Sequence, residues 1–466
     1  MKVLYLGGGF VGACSAAVTA DSGHEVFVFD IDAEKMKKLA TDDRDVIQSA
    51  LHEDGLAELL IRNRQRISFT SDKKAAEKFA TEANVVFMCL PTPEKQDGTG
   101  ESDLSFYEKA VEMFASSIAS RDGDKQTSRV VVVNKSTVPV RMIDYTEELF
   151  SKHGVKNFGI VSNPEFLVEG KAIDGSIRPD RVVVGAKNDE DFKIMRDLYQ
   201  RFVDSTFVKY LEVNPYEAAS AKLLANFLLF SKVVTTYDVV GRVCEYFPNL
   251  RYEEVRKILV SEPRIGSWGL YDSLFAGGSC FIKDAGSLAH QLENAGGRAA
   301  LVRGILESNI FQLDHFFGRA ETEAKFNWVD KTVAVLGVAF KQDTNDIRNS
   351  GGIAIIQQLL GSGVGKVRVY DPAAMEECKK YFSNNPHAGR IEYCSDEKSA
   401  VKDTQASIIC TDWPQFKTLG DLFISEVISP YLIMDGRRMI KNHFETLAAK
   451  GIDIISVGSP FIKGKR

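Results

Sequence analysis

A single cysteine lies in the segment Gly277-Gly278-Ser279-Cys280-Phe281-Ile282-Lys283-Asp284, just after two glycines and four residues before an aspartate. Glycines let a backbone come close to a ligand because they carry no Cβ atom. A cysteine is a nucleophile only as the thiolate, which needs a nearby cation or dipole. If a helix begins here, Asp284 shares a face with Cys280. Cys280 is therefore a candidate nucleophile, and the alternative is a small buried apolar residue.

A lysine in an apolar helix is the second candidate. Pro215 begins a stretch with no further Pro or Gly until Gly241, which predicts a long helix with Pro in its first turn. Lys222 and Asn226 are at positions i and i+4 and face the same way. An exposed lysine is the alternative, but the neighbours of Lys222 leave little polar surface there and favour a function.

The N-terminus has the pattern of a dinucleotide site. Lys2-Val3-Leu4-Tyr5-Leu6 is a predicted strand that runs into Gly7-Gly8-Gly9-Phe10-Val11-Gly12, and a second strand ends in Asp30. Glycines allow the turn and the approach of a pyrophosphate to a helix N-terminus. Asp30 is placed to accept bonds from a ribose diol and to repel a 2′-phosphate, which favours NAD over NADP.

Polar residues and prolines follow three further predicted strands. The strands at 84–90, 129–134 and 159–162 run into the segments Pro91-Thr92-Pro93, Lys135-Ser136-Thr137 and Asn163-Pro164-Glu165. Ligands of an open parallel sheet bind at the carboxyl ends of its strands. Any one of these turns could be only structural, but three at one sheet edge predict a site.

The last third repeats the alternation. A strand at 332–336 ends in Gly337, and strands at 367–370, 406–410 and 432–435 follow. Only one glycine stands where a dinucleotide fingerprint needs three, so a nucleotide-type ligand is expected. The fold class is therefore predicted as α/β, with two Rossmann-like doubly wound domains joined by a central long-helix region. The expected boundaries are 1–210, 211–325 and 326–466.

Composition limits the class of protein. The chain has 466 residues, a net charge of −6 and seven cysteines without a CxxC pair. These features predict no nucleic-acid partner, no disulfide framework and no metal site. The N-terminus begins directly with a predicted strand. No apolar run is expected to approach the roughly 18 residues of a membrane span. The expected location is cytoplasmic.

Several motifs in order resemble the UDP-glucose/GDP-mannose dehydrogenase family, from the N-terminus to about Arg438. The matching stretches are GGGFVG (7–12), LPTP (90–93), KSTVPV (135–140), NPEFLVEG (163–170), RPDRVVVG (178–185), RIG (264–266), GGSCFIKD (277–284), AFKQDTNDIRNS (339–350), YDP (370–372) and DGRR (435–438). The resemblance implies an NAD-binding N-terminal domain, a helical centre that forms a homodimer or a higher homo-oligomer, and a C-terminal domain that binds a UDP-sugar.

The reaction implied by the resemblance is oxidation of UDP-glucose to UDP-glucuronate with two NAD reduced. Cys280 attacks the intermediate aldehyde, and the thiohemiacetal is oxidised to a thioester that water hydrolyses. Lys222 steadies the oxyanion and activates the thiol. The other catalytic roles implied are water handling by Asp284 and Thr137, acid/base work by Glu165 and hydrogen-bond donation by Asn226.

The resemblance also implies two sets of binding residues. The implied cofactor residues are Gly7, Gly9, Phe10, Val11, Gly12, Asp30, Lys35, Pro91, Thr92, Ser136, Thr137, Glu169, Cys280 and Arg348. The implied substrate residues are Glu165, Phe166, Leu167, Lys222, Asn226, Arg264 (from a partner subunit), Tyr271, Ser273, Phe275, Gly277, Phe340, Lys341 and Arg438.

The identity of the sugar stays open. Glu169-Gly170 favours the glucose branch, but departures from the family pattern such as Ile282 and Ala219 indicate a divergent member. The alternatives are a dehydrogenase of UDP-N-acetyl-hexosamine, dTDP-glucose or GDP-mannose, and a non-catalytic sensor of NAD or nucleotide sugar. The sensor ranks low because the thiol, the lysine and the aspartate are all present. A two-electron hydroxy-acid dehydrogenase leaves Cys280 without a role.

Overall fold

The computed structural model describes residues 1–120, 129–247 and 249–465. The chain divides into two compact units. Unit 1 comprises Met1–Ala225 and Gly286–Gly297, and unit 2 comprises Asn226–Ala285 and Arg298–Arg466.

Within the described residues, unit 1 is built on an eight-stranded sheet of order β3-β2-β1-β4-β5-β6-β7-β8. All neighbours are parallel except β6 and β7. The strands are β1 (Lys2–Leu6), β2 (Glu25–Phe29), β3 (Ile67–Thr70), β4 (Val85–Met88), β5 (Val130–Asn134), β6 (Phe158–Ser162), β7 (Arg181–Gly185) and β8 (Lys209–Val213). This strand order reverses direction between β1 and β4, as a doubly wound sheet requires.

Both faces of this sheet are buried. Val3 and Tyr5 belong to one apolar cluster and Leu4 and Leu6 to another, because alternate strand residues point to opposite faces. The helices of unit 1 are α1 (Phe10–Asp21), α2 (Ala33–Leu39), α3 (Arg44–Ala50), α4 (Leu56–Arg62), α5 (Lys73–Ala80), α6 (Ser105–Ala119), α7 (Met142–Lys152), α8 (Ala172–Ile177), α9 (Asp189–Leu198) and α10 (Gln200–Val203).

The central helices are α11 (Pro215–Thr235), α12 (Arg242–Tyr246), α13 (Tyr252–Val260), α14 (Phe281–Asn294) and α15 (Ala300–Thr322). The predicted long helix forms, but Thr236–Gly241 is π-helical. There the Thr236 hydroxyl donates to the carbonyl oxygens of Lys232 and Gly269, at 2.8 and 3.0 Å. Such hydroxyl bonds to the helix backbone accompany its irregular turns.

The expectation about apolar runs was wrong for this helix. Among the described residues, the 32-residue helix Pro215–Tyr246 is long and apolar enough to cross a membrane by length and composition. Only 39% of its most apolar window is buried within the chain. Core helices reach the same length and hydropathy, so the finding does not assign the helix to a membrane.

Unit 2 has a second doubly wound sheet. Its described strands follow the order β11-β10-β9-β12-β13-β14-β15, and only β14 and β15 pair antiparallel. The strands are β9 (Thr332–Leu336), β10 (Lys366–Tyr370), β11 (Ile391–Tyr393), β12 (Ala406–Ile409), β13 (Tyr431–Asp435), β14 (Ile452–Ser456) and β15 (Ser459–Ile462). The remaining helices are α16 (Gly351–Gly361), α17 (Met375–Phe382), α18 (Glu397–Val401), α19 (Leu419–Glu426) and α20 (Phe444–Ala449). The predicted fold class is confirmed.

Candidate active site

The glycine turn of unit 1 leaves no room for side chains at two of its positions. Gly7 has a φ of +104°, and a Cβ there would lie 2.1 Å from the carbonyl oxygen of Cys89. A Cβ at Gly12 would lie 2.0 Å from the carbonyl oxygen of Gly7. Gly9 differs, because nothing lies within 4 Å of the place of its Cβ. The open side at Gly9, at the start of α1, fits the approach of a pyrophosphate.

Asp30 lies at the end of β2, beside this turn. Its carboxylate accepts from the backbone N–H of Gly8 at 2.7 Å and of Asp32 at 2.9 Å. The Lys35 ammonium pairs with it at 3.1 Å. The carboxylate is thus fixed where a ribose diol is expected, and the cofactor contacts of Asp30 and Lys35 stay a prediction.

The predicted residues at neighbouring strand ends contact each other. The Thr92 hydroxyl donates to the carbonyl oxygen of Thr137 at 2.8 Å, and the Ser136 hydroxyl donates to that of Leu90 at 2.7 Å. These bonds join the segments after β4 and β5, which are adjacent parallel strands. The structure therefore brings these residues together at one edge of the sheet.

Glu165 and Lys222 form a buried ion pair within unit 1. Lys222 Nζ is 3.2 Å from Glu165 Oε1, and the two side chains are 6% and 9% exposed. The backbone N–H of Leu167 donates to Glu165 Oε2 at 2.5 Å. The Phe166 ring has Lys222 Nζ 5.3 Å and the Arg181 guanidinium 4.5 Å from its centroid. Lys222 is therefore not a solvated surface lysine.

The residue that holds the end of the NPEFLVEG segment lies outside every motif of the sequence. Glu53 is 1% exposed, and its carboxylate oxygens accept from the backbone N–H groups of Gly170 and Ala172, each at 2.8 Å. A buried carboxylate that accepts two backbone bonds fixes the segment around Glu169. Glu53 comes from the turn before α4, more than a hundred residues earlier, so no local pattern could have indicated it.

In unit 2, Cys280 directly precedes α14. The backbone N–H of Asp284 donates to the carbonyl oxygen of Cys280 at 2.9 Å, and the Ser279 hydroxyl lies 3.5 Å from the Cys280 sulfur. The predicted helix start is confirmed. The N-terminus of a helix is a favourable place for a thiolate, because the backbone N–H groups and the helix dipole stabilise negative charge.

The two glycines before Cys280 pack against another segment of unit 2. A Cβ at Gly277 would lie 2.1 Å from the carbonyl oxygen of Asn349. Gly278 has a φ of +91°, and a Cβ there would press against the Phe340 ring. The backbone N–H of Gly278 donates to the carbonyl oxygen of Arg348 at 3.1 Å, and the Asn349 amide donates back to Gly278 at 3.1 Å. The glycines are therefore required by a close backbone approach.

Asp284 is fully buried and hydrogen-bonded. Asn226 Nδ2 donates to Asp284 Oδ2 at 2.5 Å, and Lys283 Nζ is 2.6 Å from Asp284 Oδ1. Lys222 and Asn226 lie one turn apart on α11, as predicted, and both are 5% exposed. The structure thus places Asn226 on the aspartate, and Lys283 is a further partner that the sequence reasoning did not assign.

The loop before the glycines is held by a residue that was also missed. Asn309, on α15, accepts from the backbone N–H of Ala276 at 2.9 Å and donates to its carbonyl oxygen at 3.1 Å. The Ser273 hydroxyl donates to the carbonyl oxygen of Phe275 at 2.7 Å, and Tyr271 is 43% exposed. Asn309 lies on a helix with no motif around it, so only the tertiary structure identifies it.

The predicted arginines of unit 2 have different surroundings. Arg264 is exposed and pairs with Glu262 at 2.9 Å. Arg348 is exposed and pairs with Asp346 at 2.7 Å. Arg438 is buried, and its guanidinium donates to Glu253, to the carbonyl oxygen of Val457 and to the hydroxyl of Ser459. Its substrate contact stays a prediction.

The turn after β9 is closed by a carboxylate. Asp371 Oδ2 accepts from the backbone N–H of Val338 at 2.7 Å, from that of Ala339 at 2.9 Å, and from Trp413 Nε1 at 3.1 Å. Lys341 Nζ lies 5.7 Å from the Phe340 centroid in the next segment. Asp371 therefore holds this turn much as Asp30 holds the N–H of Gly8 in the turn at Gly7 to Gly12, and here the acid accepts from two backbone N–H groups of the turn.

No group of three His, Cys, Asp or Glu side chains is placed to hold a metal ion in the part of the chain that the structure describes. All seven cysteines lie in that part, and none forms a disulfide.

A glycine turn in a doubly wound sheet, with an acid at the end of β2, is typical of the class of NAD-dependent dehydrogenases. Three family models match, described as the NAD binding, central and UDP binding domains of the UDP-glucose/GDP-mannose dehydrogenase family, over residues 1–203, 216–310 and 334–442. The chain belongs to this family. It is an NAD-dependent nucleotide-sugar dehydrogenase, and its cofactor is NAD.

Known proteins are similar over nearly the whole chain. The chain is 31% identical to UDP-glucose 6-dehydrogenase TuaD of Bacillus subtilis, over 99% of this chain and 94% of that one. It is 31% identical to UDP-glucose 6-dehydrogenase AglM of Haloferax volcanii, over 94% and 97%. Among solved structures, a UDP-glucose dehydrogenase from Pyrobaculum islandicum has a TM-score of 0.84 at 26% identity, covering 98% of each chain. A UDP-D-ManNAc dehydrogenase from Pyrococcus horikoshii has a TM-score of 0.80 at 21% identity, covering 98% and 99%, and shares the fold.

Proposed function

We propose that the chain oxidises UDP-glucose to UDP-glucuronate, in two oxidations at the same carbon. The observation that carries this proposal is the set of buried polar groups on α11, where Lys222 pairs with Glu165 and Asn226 bonds Asp284. Burying such groups costs free energy unless they are paired. The same chain has the sequence motifs of a thiol at 277–284 and of an NAD-binding turn at 7–12. Together these are the groups that capture of an aldehyde needs.

The proposed first oxidation converts the C6 alcohol to an aldehyde. Glu165 accepts the hydroxyl proton, and its fixed carboxylate is suited to this because Leu167 N–H holds one oxygen. Lys222 stabilises the alkoxide that develops as the proton leaves. When bound, NAD supplies the chemistry of accepting a hydride, once in each oxidation.

The proposed second oxidation uses the thiol. The sulfur of Cys280 attacks the aldehyde carbon and forms a thiohemiacetal, whose oxidation leaves a thioester. Water then adds to the thioester carbon, the carbon–sulfur bond breaks, and the carboxylate leaves as the thiol is restored. Asp284 and Thr137 are proposed to position this water. Asp284 is buried on Asn226 and Lys283, which holds its carboxylate in one place.

The cofactor residues proposed are those of the glycine turn, Asp30 and the strand ends. Gly9 leaves space for a pyrophosphate, and Asp30 is fixed to accept a ribose diol. The substrate residues proposed are those predicted from the sequence, with Phe340 and Lys341 in unit 2 and Arg264 acting from a partner subunit. The division at 1–210, 211–325 and 326–466, a homodimer and a cytoplasmic location are part of the same proposal.

The test is the yield of NADH from the purified full chain across a panel of nucleotide sugars. With limiting UDP-glucose and excess NAD, we expect two NADH per sugar and a product that carries a carboxylate. One NADH with release of an aldehyde contradicts the covalent step. Two NADH from UDP-N-acetyl-hexosamine, dTDP-glucose or GDP-mannose, with none from UDP-glucose, reassigns the substrate. Binding of both ligands without NADH formation supports the sensor.

A further inference from the structure

A buried lysine that the proposed mechanism does not use lies in unit 1, directly after β5. Lys135 is 9% exposed, and its Nζ donates to Asn163 Oδ1 at 3.0 Å. The Tyr199 hydroxyl donates to the same oxygen at 2.6 Å, and Asn163 Nδ2 donates to the carbonyl oxygen of Val183 at 2.7 Å. Asn163 is thereby held on both ends of its amide, two residues before Glu165.

Among the titratable groups around Lys135, one can carry the opposite charge. The titratable groups around it are Cys89 after β4, Glu165 after β6, Lys222 on α11 and, through Asn163, Tyr199 at the end of α9, and Glu165 lines the same cavity as Lys135. Burial raises the pKa of Cys89 to about 12 and that of Tyr199 well above its usual range. Both are neutral near pH 7, which leaves Glu165, the carboxylate that pairs with Lys222 at 3.2 Å, as the acidic group of this set.

Burial also makes the charge of Lys135 dependent on pH. Its burial lowers the pKa of Lys135 to about 8, against the attraction of Glu165 and with the repulsion of Lys222. An ammonium kept in a buried place at this cost needs a compensating interaction. Its hydrogen bond goes to the amide oxygen of Asn163, which carries no net charge. The nearby group of opposite charge is therefore the Glu165 carboxylate.

We propose that Lys135 is a positioning residue for Glu165: its ammonium fixes Asn163 at the start of the segment, and its charge attracts the Glu165 carboxylate toward the form that accepts a proton. This inference rests on the proposed role of Glu165 as the base. A role in packing alone is the competing explanation. The two differ because a packing role predicts no change in the pH dependence of turnover.

The test compares Lys135→Met with Tyr199→Phe in the full chain. Lys135→Met removes the charge and one bond to Asn163 Oδ1, whereas Tyr199→Phe removes the other bond to that oxygen and no charge. Lys135, Asn163 and Tyr199 line a cavity of about 400 Å³, which gives a Met side chain room to adjust. We expect the acidic limb of the kcat profile to move up by about one pH unit in Lys135→Met. In Tyr199→Phe the limb stays where it is in the wild type.

Stability gives a readout that does not need activity. The folded pKa of Lys135 is about 8 and its ordinary value is 10.5, so the unfolded chain binds more protons between these values. The free energy of unfolding of the wild type, measured relative to Lys135→Met, should therefore rise as the pH rises from 8 to 10.5. A relative stability that is flat over this window overturns the buried charge on which the inference depends.

The outcomes separate this inference from the proposed function. A wild type that forms no NADH from any nucleotide sugar rejects the function, and the stability measurement still tests the state of Lys135. A wild type that turns over, with a Lys135→Met profile that superimposes on it, rejects the positioning role alone. The same shift in Tyr199→Phe as in Lys135→Met shows that the Asn163 bond matters and the charge does not, which also overturns the proposal.

Discussion

Cys280 differs from the other thiols of unit 2 in its place in the fold. It precedes α14, where backbone N–H groups point toward its side of the helix start, and it is only partly buried. Cys378 is buried in α17, and burial raises its pKa to about 12. A thiol of that kind stays protonated at neutral pH, so only one of these two thiols is placed to act as a nucleophile.

We therefore expect Cys280→Ser to lower the steady-state rate of the complete four-electron oxidation by about 10³-fold or more, because a serine hydroxyl does not form the thioester. Cys378→Ala is the matched control in the same unit. It removes a buried sulfur, so it lowers the thermal midpoint, but the rate per folded molecule stays near that of the wild type. Steady-state rates and thermal unfolding of the three proteins provide the comparison. Near-normal turnover of Cys280→Ser removes the thiol from the mechanism.

At the scale of elements, the strands that the sequence predicted most clearly are the buried apolar runs near the centre of each sheet. β1, β4 and β5 are apolar runs that end in glycine or polar residues, and these were found with small errors at their ends. β3 and β8 are the edge strands of their sheet and contain exposed and half-buried residues, so they carry no continuous apolar run. β14 was missed although it is buried, because Asp453 interrupts it and is bonded to the backbone N–H of Gly464.

The residues of the candidate site also divide into those with a local sequence pattern and those without one. Residues in local motifs, such as the glycines of the turn, Cys280 and Lys222, could be named from the sequence. Glu53 and Asn309 could not, because each holds a segment more than thirty residues away through backbone bonds. The ion pair of Lys222 with Glu165 was likewise not predicted as a contact. Sequence patterns identify candidate reactive groups, whereas distant supports depend on tertiary packing.

The segment at 277–278 permits a test of an element. A Cβ at Gly277 would lie 2.1 Å from the carbonyl oxygen of Asn349, so Gly277→Ala must displace the loop before Cys280. We expect turnover to fall at least about tenfold and the thermal midpoint to drop, because a backbone clash is not relieved by a side-chain rotation. Gly318→Ala is the control, since nothing lies within 4 Å of its Cβ position in α15. There alanine stabilises the helix by about 0.5–1 kcal/mol. Wild-type turnover and midpoint in Gly277→Ala would contradict the packing argument.

At the scale of the whole molecule, the central helices expose apolar and aromatic side chains that unit 2 leaves uncovered. Tyr246 and Phe311 are 67% and 55% exposed, and both rings contact His315, at 6.4 and 5.9 Å between centroids. The Arg242 guanidinium lies 5.1 Å from the Phe311 centroid. Contiguous exposed apolar surface of this kind marks an interface with another protein. A second copy of the chain is the partner that the sequence predicts.

We expect the wild type to sediment as a dimer and Phe311→Glu to shift it toward the monomer, because a charge placed at a buried contact is left without a partner. Phe207→Glu is the matched control. Phe207 is 91% exposed in unit 1, outside the central helices, so its substitution leaves the association unchanged. Sedimentation velocity over a range of concentrations measures the dissociation constant of each variant. A wild type that sediments as a monomer at micromolar concentration, or equal weakening by both substitutions, contradicts an interface on α15.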